Sequence, residues 1–145
     1  MKRLSLALCL MAGVGPAGAQ DLAAARQSLK NYGLAYCMAR QFPERSAMGE
    51  DVGHAIGMYG VMGAGQHQIL QDEGTLTTLH DPYDATTDYV FKAYDQVAAN
   101  SKHSPGKVVL HACLQVYNSR AFDRFIRSQD SYIRQQDLQA AGPNS

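Results

Sequence analysis

Apolar residues in the late part of the chain recur at three and four residue steps: Val109, Ala112, Cys113, Val116 and Tyr117. That spacing places them on one face of a helix, and the face needs a partner to bury against. Asn118-Ser119 interrupts the pattern and offers a cap for a second short helix, from Arg120 to about Ser128, that buries Phe122, Phe125 and Ile126. Between Asp21 and Phe42 the same period links Leu22, Ala25, Leu29, Tyr32, Gly33, Tyr36 and Cys37, with Asp21 as cap and Pro43 as stop. Ser46 caps a further helix whose buried stripe is Val52, Ile56, Tyr59 and Met62. Asp81-Pro82 opens another, with Tyr83, Thr86, Val90, Tyr94 and Val97 on its inner face and an end near Ala99.

The intervening pieces read differently. From Gly63 to His80 the periodicity fails, and the segment predicts irregular structure or a broken helix, with a helical turn over Gln66 to Asp72 and an extended stretch from Thr75 to Leu79. Asn100 to Gly106 is polar throughout and closes on Pro-Gly, a loop. Gly49, Gly53, Gly57, Gly60 and Gly63 fall along one edge of the second helix. Each costs roughly 0.5 to 1 kcal/mol against alanine. The series has two readings, a close backbone approach to another helix or a partner, and a weakly helical, loosely held segment. The pattern as a whole predicts an all-α chain, a small irregular helical bundle.

Lys2-Arg3, an apolar run from Leu4 to Val14 and the small residues Ala17-Gly18-Ala19 form a secretory signal peptide over residues 1–19. This divides the chain into the signal, a helical domain over 20–134 and a polar tail over 135–145, and directs the protein across the inner membrane to the periplasm. Cleavage removes Cys9 and leaves Cys37 and Cys113 as an even pair. In an oxidising compartment the pair reads as one disulfide closing the bundle, worth about 4 kcal/mol by loop entropy; two buried free thiols are the other reading. Losing Lys2 and Arg3 also leaves 11 basic against 13 acidic residues, a net charge of about −2. No basic field remains to draw nucleic acid or anionic lipid, so neither is an expected partner.

Candidate chemistry is sparse. His111 lies two residues before Cys113, a spacing that turns the two apart on a helix, and a disulfide would consume the thiol. His54, His67, His80, His103 and His111 make no metal-binding pattern and read as surface or loop residues. Glu50-Asp51 and Asp72-Glu73 read as solvated helix starts or loops. No catalytic, cofactor or metal residue is assigned, no cofactor is expected, and the chain is read as a non-enzyme.

Three segments together, Asn-Tyr-Gly-Leu-Ala-Tyr-Cys-Met-Ala near the start, Asp-Tyr-Val-Phe-Lys-Ala-Tyr in the middle and Ala-Cys-Leu-Gln-Val-Tyr-Asn-Ser-Arg-Ala-Phe-Asp near the end, resemble the immunity proteins of type VI secretion amidases. The resemblance spans roughly Leu29 to Ile133, and the glycine-rich second helix departs from it. It implies a periplasmic, helical homodimer that binds a cysteine-histidine amidase effector and blocks its catalytic cleft with a protruding loop. Carried over, Cys37 and Cys113 correspond to the family's early and late cysteines. The inserted loop is expected over Asn100 to Lys107, with Asn100, Ser101, Lys102, His103, Ser104 and Lys107 as contact residues; Gly63 to Gln68 is the second choice. The competing class is a periplasmic small-ligand or metal binder, or a small enzyme, using Glu50, Asp51 and His54. A buried pocket around those three would favour it.

Overall fold

In the computed structural model, residues 17–42, 45–61, 67–103 and 105–133 are described. Residues 1–16 of the expected signal segment, residues 43–44, Met62, residues 63–66 of the second candidate loop, Ser104 and the tail from residue 134 lie outside them. Helices α1 (Ala17–Ala39), α2 (Ala47–Val61), α3 (Pro82–Gln96), α4 (Val109–Tyr117) and α5 (Arg120–Ser128) make up the described architecture, with a two-stranded hairpin of β1 (Leu70–Gln71) and β2 (Thr78–His80) between α2 and α3. A single 3₁₀ turn, Asp130–Tyr132, follows α5. The chain is an all-α irregular bundle, as its periodicity predicts.

α1 is the central element and touches every other helix. Leu29 and Cys37 on its inner face meet Val90 and Tyr94 of α3, Ala112, Cys113 and Val116 of α4, and Phe122 and Ile126 of α5 in one buried cluster. Cys37 and Cys113 are disulfide-bonded, with Cα atoms 5.8 Å apart across a sequence separation of 76. The free-thiol reading is thereby excluded, and the two cysteine-bearing segments lie against each other.

Gly33 permits the tightest of these approaches. A Cβ at that position would lie 2.9 Å from Phe122 Cζ, 2.9 Å from Thr86 Cγ2 and 3.1 Å from Val90 Cγ1. Absence of a side chain therefore lets α1 sink between α3 and α5. Tyr89 extends this layer by stacking on Phe122 and Phe125, with ring centroids 5.4 and 4.4 Å away. Two ion pairs, Lys30 with Asp123 at 2.7 Å and Arg26 with Asp130, tie α1 to α5 and the turn after it.

Local signals account for the starts of three helices. Ser46 Oγ accepts from Gly49 N at 3.0 Å, Asp81 caps α3 by accepting from Tyr83 N at 2.8 Å, and Ser119 Oγ accepts from Phe122 N at 3.1 Å. Two ends differ from expectation. α1 begins at Ala17, four residues ahead of Asp21, so Asp21 is not its cap; the helix formers Ala17, Ala19 and Gln20 carry it through Gly18. α3 stops at Gln96, short of Ala99. Lys107 Nζ donates to the carbonyls of Tyr94 and Asp95 at 2.6 and 2.9 Å, and Ala99 O accepts from Val108 N at 2.8 Å, so these carbonyls are satisfied without another helical turn.

The helical turn expected over Gln66 to Asp72 does not form. Leu70 pairs with His80 and Gln71 with Thr78 instead, and His67 bridges Ile133. Asp72 is the cause: Oδ1 accepts from Gly74 N, Thr75 N and Thr75 Oγ1 at 3.1, 2.8 and 2.8 Å, which folds the chain back at that point.

Candidate functional site

Two non-helical projections flank α3. Fifteen residues of helix separate them by roughly 22 Å. Beyond the C-terminal end lies the loop 100–107. Its base is a two-residue ladder in which Asn100 bridges Lys107 and Ser101 N donates to Gly106 O at 2.9 Å. Gly106, at φ 106°, makes the turn that most side chains would resist. Lys102 and His103 stand exposed at the tip, Asn100 is exposed at the base, and His103 N donates to Ser101 Oγ at 3.1 Å. Lys107, expected among the contact residues, is turned back: it holds the end of α3 and lies over the Tyr94 ring, 4.9 Å from its centroid.

Ahead of the N-terminal end of α3 lies the β1–β2 hairpin, in a segment whose sequence predicts irregular structure with an extended stretch from Thr75 to Leu79 that β2 overlaps. Its base is clasped to the C-terminal turn. Gln68 N donates to Tyr132 O at 2.7 Å, His80 Nε2 lies 2.8 Å from Gln129 Oε1, and the His80 ring stacks on Tyr132 at 4.1 Å. Its tip is tied internally, with Asp72 N donating to Thr77 O at 2.9 Å and Leu76 N donating to Asp72 O at 2.8 Å. Hydrogen bonds from the Thr75 hydroxyl, Thr75 N and Gly74 N hold the Asp72 carboxyl below the usual carboxylate range.

Leu76 has φ 56°, and it is the one non-glycine residue in the left-handed region among those described. A leucine there costs roughly 1 to 2 kcal/mol relative to glycine. No burial offsets the cost, because Leu76 is 73% exposed and Leu79 beside it is 61% exposed. The available sequence signal was the Asp72-Glu73-Gly74-Thr75 run, a turn composition that precedes an apolar residue.

His67 corrects the surface reading of the histidines. It is 5% exposed, packed edge-on against Tyr83 at 6.4 Å, and its Nε2 has no hydrogen-bond partner among the described residues. Burial lowers its pKa to about 4, so the ring is neutral at ordinary pH. The bridge to Ile133 puts it there, since it carries the start of the hairpin beneath the C-terminal turn. His54, His103 and His111 are exposed, and His80 is partly covered by Tyr132.

Glu50, Asp51 and His54 all stand exposed on α2, and Asp51 borders a groove against α1 and α4 that neither Glu50 nor His54 lines. Among the described residues no three His, Cys, Asp or Glu side chains converge as a metal site. The glycine edge of α2 also divides. Gly60 lies against Tyr32, whose Cε2 would be 3.1 Å from an added Cβ, whereas a Cβ at Gly53 or Gly57 would meet nothing within 4 Å. A groove of about 290 Å³ runs between α1, α2 and α4, lined by Leu34, Met38, Val52, Tyr59 and Leu110. No described helix is long and apolar enough to cross a membrane.

No protein-family model matches the chain, and no curated protein or solved structure shows significant similarity to it.

Proposed function

We propose that the protein is a periplasmic immunity protein that binds a type VI secretion amidase effector and blocks its catalytic cleft. The supporting observation is the meeting of the Cys37 and Cys113 segments. These carry the early and late parts of the resemblance to amidase immunity proteins, and one disulfide joins them at the centre of the core. Around that frame the projections at the two ends of α3 are pre-organised by their own backbone hydrogen bonds, which lowers the ordering cost of inserting a loop into a cleft. Loop 100–107 and the β1–β2 hairpin are the two candidates for the inserted element. On this reading the chain acts by occupying space and works as a homodimer.

The test is size-resolved binding of the mature, oxidised protein to a purified type VI amidase effector from the same bacterium, with peptidoglycan hydrolysis followed in parallel. The expected result is a stable complex in which hydrolysis is abolished. Free migration of both proteins with full hydrolysis would refute the reading.

A further inference from the structure

Leu76 is held outward by the chain around it. Five hydrogen bonds centred on Asp72 set the tip of the hairpin, and pairing with Tyr132 and Ile133 sets its base. Asparagine or glycine would occupy the left-handed position with less strain. Leucine there exposes a branched apolar side chain, and Leu79, Leu70 and Ile69 nearer the base are exposed as well. A strained conformation whose side chain stays 73% exposed points outward for its purpose. The charge around it is of one sign. Asp72 and Glu73 lie at the tip, and the sequence has no lysine or arginine from His67 to Asp81.

We propose that Leu76 is an anchor that enters an apolar depression with a cationic rim on the amidase, making the β1–β2 hairpin the inserted element in place of loop 100–107. This rests on the immunity reading above. The two tips stand at opposite ends of α3, so a single narrow cleft takes one of them. The hairpin presents the apolar knob that a cleft can desolvate, whereas loop 100–107 presents polar side chains and commits Lys107 to its own helix end. Glu73 meets the cationic rim, which makes association faster at low salt.

The experiment measures affinity for a purified type VI amidase effector by titration calorimetry, using the mature oxidised protein, Leu76→Asn, Leu76→Met and the triple alanine variant at Ser101, Lys102 and His103. Thermal unfolding of each variant is followed alongside. Leu76→Asn is expected to weaken binding by about 30- to 100-fold, the scale of one buried leucine, with an unchanged or higher Tm. Leu76→Met keeps an apolar side chain and is expected to bind within about threefold of wild type. The triple alanine variant is expected to bind as wild type does.

A tight wild-type complex matched within twofold by Leu76→Asn would overturn the inference and leave the immunity reading standing. No complex with the wild type would overturn both. Loss of binding together with a lower Tm in Leu76→Asn would mean that the leucine holds the fold, and would overturn the inference. So would a dimer, seen by sedimentation, that Leu76→Asn dissociates, because the leucine would then face a second copy.

Discussion

Replacing glycine by alanine at three positions should change stability in opposite directions. Gly53 and Gly57 lie within α2 with open space where a Cβ would go. Alanine there restricts the unfolded chain and favours the helix, a gain of about 0.5 to 1 kcal/mol at each site. Gly33 receives the same helical gain, but its new methyl meets Phe122, Thr86 and Val90 at 2.9 to 3.1 Å. All three are buried, and Thr86 Oγ1 is fixed by a 2.7 Å hydrogen bond to Pro82 O, so none moves away freely. Overpacking of this kind costs about 1 to 3 kcal/mol. The net for Gly33→Ala is therefore destabilisation, centred on about 1 kcal/mol and reaching about 2.5 kcal/mol. Urea unfolding of the oxidised protein, followed by far-ultraviolet circular dichroism, gives both midpoint and slope. The midpoint should rise for Gly53→Ala and Gly57→Ala and fall for Gly33→Ala, with slopes unchanged. Stabilisation by Gly33→Ala equal to that of the α2 variants would refute the claim that α1 packs into α3 and α5 at that glycine.

Other consequences are open to measurement. His67 binds its proton less readily folded, with a pKa near 4, than unfolded, near 6.5, so stability should fall as the pH drops from about 6.5 through 4. The loss reaches about 3 kcal/mol at most, and His67→Leu should flatten this part of a pH series of urea midpoints while the acid limb from paired carboxylates such as Asp123 remains. Cleaving Cys37–Cys113 with reductant should lower the stability by about 4 kcal/mol, read as a shift of the unfolding midpoint against the oxidised protein. Lys107→Met should lower the unfolding midpoint by an amount equivalent to about 1 to 2 kcal/mol, through the exposed α3 carbonyls it leaves. An unchanged midpoint would place Lys107 outside the α3 cap.

Helix identity was legible wherever a face of period 3.6 met a clear cap. Ser119 before Arg120, Asp81-Pro82 before Tyr83 and Ser46 before Ala47 each carry a local signal that a short peptide already contains, and each cap forms. The pairing of Cys37 with Cys113 followed from counting the two thiols that remain after the expected signal segment, which requires no geometry. The hairpin was hidden because its strands are two and three residues long and mostly exposed, so they show no alternation of apolar and polar positions. Its stability comes from Tyr132 and Ile133, more than fifty residues away in sequence.

The glycines mark the same boundary. Sequence alone determined that α2 contains a row of them and that each weakens an isolated helix, since that cost belongs to the backbone. Which glycines admit a neighbour was decided by the approach of α1: Gly33 and Gly60 meet side chains, and Gly53 and Gly57 meet none. His67 is similar. Its chemistry is that of any histidine until the hairpin carries it beneath the C-terminal turn, and removal from water then lowers its pKa. Likewise leucine at position 76 is an ordinary apolar residue in the chain; only the folded hairpin, through Asp72, sets its backbone left-handed and turns its side chain to solvent. Local propensity is written in short segments, whereas burial and strain arise from contacts between segments that the chain brings together only on folding.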